Sequence, residues 1–380
     1  MRGHLRQRSE GSWEISVYAG RDPLTGRERH RSKTVRGTKR DAQRALTAMS
    51  HEADEGRLSA SSSVTISELI ESWLDLVETD LASTTIDGYR NLVRWYIEPG
   101  LGHVRVGRLT APQLDTFYKA LQRKKGLSSS TVRKVHAVLR RALKHAVKWG
   151  WISINPALNA TPPRQRKHEI EPPSLDQVRL LVQTAETVNP PFAMFLRLAA
   201  ASGLRRGEIC GLRWSDLDAR TGVLLVRRSI VQTTQGLEVK DTKTHAARRM
   251  ALDKTTLAAL AAHRVRMEAR ARECDTTMRL NAYLFSNVED CAVPWRPDVM
   301  TNMFNKLCKR TGVRGVRLHD LRHLHATQLL GAGVPVRTVS GRLGHANAAT
   351  TLNVYAHFVE VSDQQAAGII GDLLDNDASV

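Results

Sequence analysis

Trp13, Ile15 and Val17 alternate with Glu14, Ser16 and Tyr18, the period of two expected of a strand with one apolar face. Asp22-Pro23-Leu24-Thr25-Gly26 is turn chemistry, and Arg27 to Val35 predicts a second, very basic strand. Arg29, Arg31 and Lys33 alternate with Arg27 onto one face of it, which suits nucleic-acid contact. The spacing then changes. Thr38 followed by Asp41 predicts a capping box, and Ala42, Ala45, Leu46 and Met49 fall on one face of the helix it opens. A strand hairpin backed by one helix is therefore expected over residues 1–58.

Leu58 to Val64 is rich in Ser and Ala and predicts a linker. Residues 64–160 show helical spacing throughout. Leu69, Ile70, Trp73, Leu74 and Val77 form one apolar face. Tyr89, Leu92, Val93 and Tyr96 form a second, behind a predicted Thr84/Asp87 cap. Thr110 and Pro112 open a third helix with Leu114, Phe117, Tyr118 and Leu121 inward. In the fourth, from about Ser130 to Trp149, the buried stripe is Val132, Val135, Leu139, Ala142, Leu143 and Ala146. Arg133, Lys134, Arg140, Arg141 and Lys144 cover the remaining surface. No acidic residue alternates with them to form ion pairs along the helix, so phosphate contact is expected there.

The Pro-rich, basic stretch from Thr161 to Pro173 separates this block from a third, residues 174–380. There, a helix from Pro190 to Ala201 stops at Ser202-Gly203, and Arg205 and Glu208 follow at i,i+3 spacing, where a carboxylate can hold a guanidinium for phosphate binding. Leu224–Ile230, Leu237–Val239 and Arg248–Leu252 read as strands, with Lys243 in the turn between the last two. Leu318 to His325 reads as a helix with His319 and Arg322 on one face. Three histidines (His319, His323, His325) raise the question of a metal, but Arg322 among them and the lack of a carboxylate–histidine spacing argue against one. Gly333 ends that helix, Pro335 starts another, and Gly344-His345 closes it. Thr350-Thr351 can cap a short helix carrying Tyr355 and His357.

Charge changes the picture. Lys and Arg outnumber Asp and Glu 57 to 38, a formal net charge of +19, which points to a polyanionic partner. The four cysteines form no Cys-x-x-Cys pair, against a zinc ribbon or a disulfide framework and in favour of a reducing compartment. No apolar run of membrane-spanning length or signal-peptide character occurs, so no membrane partner is expected.

Taken in order, Ser202-Gly203-Leu204-Arg205-Arg206-Gly207-Glu208, Thr242-Lys243-Thr244, His319-x-x-Arg322-His323, Leu343-Gly344-His345 and Tyr355-x-His357 resemble the signature of the tyrosine recombinase (phage integrase) family. The first two blocks resemble, less specifically, the arm-type DNA-binding module and helical core-binding domain of the longer integrases. The expected fold is multidomain and mainly α with small β-sheets, ending in a mixed α+β catalytic domain. The resemblance implies a site-specific recombinase that cleaves and rejoins DNA through a 3′-phosphotyrosine and needs no cofactor or metal. The catalytic set it implies is Arg205, Lys243, His319, Arg322, His345 and Tyr355, with Glu208 supporting Arg205.

This set also makes physical sense. Phosphoryl transfer loads negative charge onto phosphoryl oxygens, which two guanidiniums and two imidazoles can hold, while lysine supplies the leaving oxygen's proton. The partners implied are double-stranded DNA attachment sites, a homotetramer on paired sites, and a directionality factor or host DNA-bending protein; the location implied is the cytoplasm of a bacterial host, at the nucleoid. A type IB topoisomerase, a chromosome-dimer resolving recombinase, a non-catalytic DNA-binding regulator and a metal-dependent nuclease are the competing readings. The tail from Asp363 to Leu374 can form an apolar helix that packs on its own domain or on a neighbour.

Overall fold

A computed structural model of the 380-residue chain describes residues 3–21, 28–54, 63–165, 171–241 and 247–344, together with residues 352, 367–368, 370–372 and 374. The chain divides into two compact units, Met1–Lys167 and His168–Val380. The division falls within the basic, Pro-rich connector.

The first unit contains two separate hydrophobic cores. The smaller lies under an antiparallel sheet of order β1-β2-β3, made of β1 (Gly3–Ser9), β2 (Ser12–Arg21) and β3 (Glu28–Arg36). β1 is additional to the expected hairpin; its one apolar side chain inside the strand, Leu5, leaves no alternation to read. Helix α1 (Lys39–Asp54) starts from the expected box, with Thr38 N–H and hydroxyl donating to Asp41 Oδ2 at 3.0 and 2.6 Å. Ala42 and Met49 of α1 cluster with Ile15 and Val17.

The register corrects one expectation about this sheet. Ile15 pairs with Lys33 and Val17 with Arg31, and directly paired residues of an antiparallel ladder share a face. Arg31 and Lys33 thus stand on the helix-covered side of the sheet, where they are exposed on the edge strand β3. The open face instead carries His4, Arg6, Glu14, Ser16, Tyr18, His30, Ser32, Thr34 and Arg36, with Glu14 paired to Arg8. The backbone of Arg29 lies in β3, but its side chain and the whole of Arg27 lie outside the described residues.

The larger core joins α2 (Ile66–Val77), α3 (Ser83–Leu92), α4 (Glu98–Leu101), α5 (Ala111–Lys125) and α6 (Ser129–Lys148). Thr65 with Glu68 and Thr110 with Gln113 form capping boxes, and Ser128 accepts from Thr131 N–H to start α6. The predicted Thr84/Asp87 cap does not open the second helix: the N-cap of α3 lies two residues earlier, at Ala82, which offers no side-chain bond. Leu69, Ile70, Trp73, Leu114, Tyr118, Leu139 and Leu143 are all buried, each worth about 1.5–3 kcal/mol for an aliphatic side chain.

The second unit begins with α7 (Leu175–Val188), α8 (Pro190–Ser202) and the short α9 (Arg206–Cys210). Strands β4 (Leu217–Asp218), β5 (Val223–Val226), β6 (Arg228–Thr233), β7 (Gly236–Asp241) and β8 (Arg248–Ala251) follow, forming a β4-β5-β8 sheet and a β6-β7 hairpin. The expected Leu224–Ile230 strand is broken at Arg227. There Arg227 and Arg228 both turn to the buried Asp216, at 3.0 and 2.6 Å, and the chain passes from one sheet to the other. Helices α10 (Lys254–Glu273), α11 (Pro297–Thr311), α12 (Asp320–Gly331) and α13 (Val336–Leu343) complete the described part. Its core centres on Phe195, Phe285 and Trp295, whose ring centroids lie 5.3–6.1 Å apart. Among the described residues no helix is long and apolar enough to cross a membrane.

Candidate active site

The site is built on one turn. α8 ends at Ser202, and Gly203 follows in the left-handed region at φ 66°. A Cβ there would lie 2.7 Å from the His325 ring and 2.9 Å from Leu343, so both conformation and space demand glycine. The chain then runs through buried Leu204 to Arg205, just ahead of α9.

Glu208, only 1% exposed, fixes Arg205 twice: its carboxylate accepts from Arg205 N–H and from Arg205 Nη1, both at 2.9 Å. Arg205 Nη2 donates to the Gly344 carbonyl at 3.3 Å, where α13 ends. The carboxylate has a second cation. Arg248, at the start of β8, donates Nη1 to Oε1 at 3.1 Å and Nη2 to Oε2 at 2.7 Å. Burial alone pushes the Glu208 carboxyl up, but Arg248 and then Arg205 bring it below its ordinary value, so it stays charged.

Arg322 reaches the same turn from α12. It is 3% exposed, and its Nη1 donates to the Gly203 carbonyl at 2.8 Å. His325, one turn further along α12, donates Nδ1–H to the Ala200 carbonyl at 3.0 Å and locks the helix onto α8. Burial, with the Arg342 charge, lowers its imidazole to about 4, consistent with that neutral tautomer. His319 occupies the N-cap of α12, not its first turn, with its ring edge-on to His323 at 5.2 Å. Asp320 sets this entry by accepting from Arg317 N–H at 2.7 Å and from the Arg317 guanidinium. Although His319 keeps exposed surface, crowding of its ring, followed by the charges of His323 and Arg322, lowers it to about 4; Arg205 contributes too. Two guanidiniums and a neutral imidazole thus share one locality, a constellation suited to an anionic phosphoryl group.

Residues 174–360, which span the whole of this constellation, match the phage integrase family. The chain belongs to the phage integrase family. The ICEBs1 integrase of Bacillus subtilis (strain 168) is 26% identical over 373 residues, covering 97% of this chain and all of that protein. The Tn1549 transposon integrase, solved with transposon right end DNA, superposes with a TM-score of 0.67 at 19% identity, over 80% of this chain and 100% of that one. A lambda integrase tetramer bound to a Holliday junction gives 0.61 at 18% identity, over 91% and 94%. The integrase fold is therefore shared well beyond the region of the family match.

Of the residues expected to act, Arg205, Arg322, His319 and Glu208 come together as described, while Lys243, His345 and Tyr355 lie outside the described residues. Sequence reading does not single out Arg248. Its signal is indirect: β8 alternates Arg248 and Met250 inward with Arg249 and Ala251 exposed, and a buried carboxylate needs more donors than Arg205 supplies. Half-buried Arg213 donates to the Tyr283 hydroxyl at 3.1 Å and stacks over its ring. Tyr283 is thus buried and engaged.

Arg133, Lys134, Arg140, Arg141 and Lys144 are all exposed on α6, and with Lys148 they extend about 22 Å at 1.5 Å per residue. Arg133 also donates to the Pro163 carbonyl, and Arg141 to the Tyr89 hydroxyl. Among the described residues, no carboxylate forms an ion pair with any of the five.

Proposed function

We propose that this integrase-family chain is a site-specific DNA recombinase that cleaves and rejoins strands through a 3′-phosphotyrosine at Tyr355, integrating or excising a mobile element. The observation that supports this best is the convergence of Arg205 and Arg322 on the Gly203–Glu208 turn, beside a neutral His319. In this reading the two guanidiniums hold the non-bridging oxygens of the scissile phosphate. The Tyr355 oxygen attacks phosphorus as its proton passes to His319, whose basicity rises once an anionic phosphate sits beside it. The bond to the 5′ oxygen breaks, and Lys243 protonates that oxygen. His345 adds a hydrogen bond to the phosphoryl oxygens. The phosphotyrosine conserves the ester bond, so attack by a 5′ hydroxyl reverses the steps and rejoins a strand without a nucleotide.

The substrates are double-stranded attachment sites, worked on as a homotetramer, as the lambda integrase tetramer on a Holliday junction supports. A directionality factor or a host DNA-bending protein completes the assembly. The α6 stripe tracks phosphates around the core site. The three-strand module binds flanking DNA with its open face, and Arg31 and Lys33 reach phosphates from the sheet edge. The near full-length match to the ICEBs1 integrase, which takes in this module, favours an element-encoded enzyme over a resolving recombinase.

The test is covalent capture on a nicked core site. Tyr355→Phe is expected to bind DNA normally and form no adduct; an adduct at the wild-type rate would assign attack to another residue, for which the engaged Tyr283 is poorly suited. Lys243→Ala is expected to recover cleavage when sulfur replaces the leaving oxygen, because sulfur departs without needing a proton. Recovery of Arg205→Ala but not Lys243→Ala would reverse the two roles.

A further inference from the structure

We propose that Arg248 is a positioning residue for the reaction: it neutralises Glu208 so that Arg205 keeps its full positive charge for the phosphate, and it ties the end of α13 to the same carboxylate. This rests on the assignment of Arg205 as a phosphate clamp.

A buried carboxylate paired with Arg205 alone would form a neutral couple and weaken its pull on an anion. Arg248, itself 11% exposed at the side chain, covers both carboxylate oxygens at 3.1 and 2.7 Å. The Arg205–Glu208–Arg248 group therefore carries one net positive charge, and Arg205, 30% exposed at the side chain, is the member that reaches solvent.

Arg248 Nε donates to the Arg342 carbonyl at 3.0 Å, and a Cβ on Gly344 would lie 2.8–3.1 Å from the same guanidinium. Arg205 Nη2 donates to the Gly344 carbonyl at 3.3 Å. Gly344, at φ 68°, thus adjoins two arginines that share one carboxylate. The next residue in sequence is His345, and Arg248 itself follows the segment that carries Lys243. One guanidinium thereby links the Arg205 turn, the strand after Lys243 and the helix end before His345.

The experiment compares Arg248→Gln, which is neutral but still donates a hydrogen bond, with Arg248→Lys, which keeps the charge and loses the fork. Single-turnover cleavage is measured on a core-site duplex with a native scissile phosphate and on one with a methylphosphonate, which removes one anionic oxygen. DNA affinity and urea unfolding are measured alongside. Arg248→Gln is expected to cleave the native phosphate about 100-fold more slowly at unchanged DNA affinity. Its deficit should shrink on the methylphosphonate, which asks less of the Arg205 charge, and Arg248→Lys should lie closer to wild type.

A purely structural role would slow both substrates alike, and that result, or native cleavage at the wild-type rate, overturns the proposal. Should Arg248→Gln not fold, Arg248→Lys decides: a comparably large, equal loss on both substrates overturns it, and retained cleavage with wild-type discrimination supports it. Arg205→Ala separates the two readings. If it cleaves normally, the clamp assignment fails; if it is inactive while Arg248→Gln is fully active, only the role of Arg248 fails.

Discussion

Glu208→Gln replaces one oxygen by an NH2 group and leaves the volume unchanged. The carboxylate accepts four bonds: from Arg205 N–H and Nη1 at 2.9 Å each, and from Arg248 Nη1 and Nη2 at 3.1 and 2.7 Å. Each oxygen takes two of them, so an amide in either orientation keeps two and sets its NH2 against the other two donors. Each charged hydrogen bond removed is worth about 1.5–3 kcal/mol, giving roughly 3–6 kcal/mol. That agrees with about 3–5 kcal/mol for breaking a buried ion pair at one partner. With urea m-values of about 1–3 kcal/mol/M, the unfolding midpoint should fall by at least about 1 M near pH 7.

The pH dependence sharpens the test. The folded Glu208 pKa lies below its ordinary 4.5, so the carboxylate's stabilisation is fully present above that value and is lost as pH falls through the folded pKa. Glutamine has no such titration, so the gap between wild type and variant should narrow below pH 4.5. Urea unfolding from pH 7 down to pH 3 measures it. A gap under about 1 kcal/mol at pH 7, or one that stays constant to pH 3, would refute the reasoning.

In the free protein, the His319 ring protons should titrate by NMR near pH 4, far below the ordinary 6.5, and a bound core-site duplex should move the midpoint upward because an anion favours the imidazolium. Single Lys134, Arg140 and Lys144→Ala variants should each weaken DNA binding regardless of sequence. Each should also reduce the slope of log affinity against log salt by about 0.9 for every phosphate left without its cation, read by titration at several salt concentrations. Gly203→Ala should cost at least about 1–2 kcal/mol in urea unfolding, from the left-handed backbone alone, and should slow cleavage because its carbonyl holds Arg322.

What is legible in the sequence follows from the range of the interactions. Helix starts such as Thr38/Asp41 and stops such as Gly203 are set within four residues, and they can be read directly. So can the pairing of Arg205 with Glu208. β1 cannot, because a single leucine between polar residues has no period. The face occupied by Arg31 and Lys33 is misread because alternation sets which residues share a face, while only cross-strand register sets which face that is. Arg248 escapes for the same reason: its partners lie 40 and 94 residues away.

The Arg205–Gly344 hydrogen bond spans 139 residues and the Arg322–Gly203 bond 119. At roughly 5–20 residues per second, a ribosome takes on the order of 10 s to add that stretch after Arg205 has been made. Throughout that interval a nascent chain can already have folded the helical core from α2 to α6, whose contacts are local, and with it the α6 stripe proposed to contact DNA. It cannot yet assemble the two-arginine grip. On the proposed function, competence to bind would therefore precede competence to cut during synthesis, and a chain broken off before Arg322 would be expected to occupy sites without nicking them.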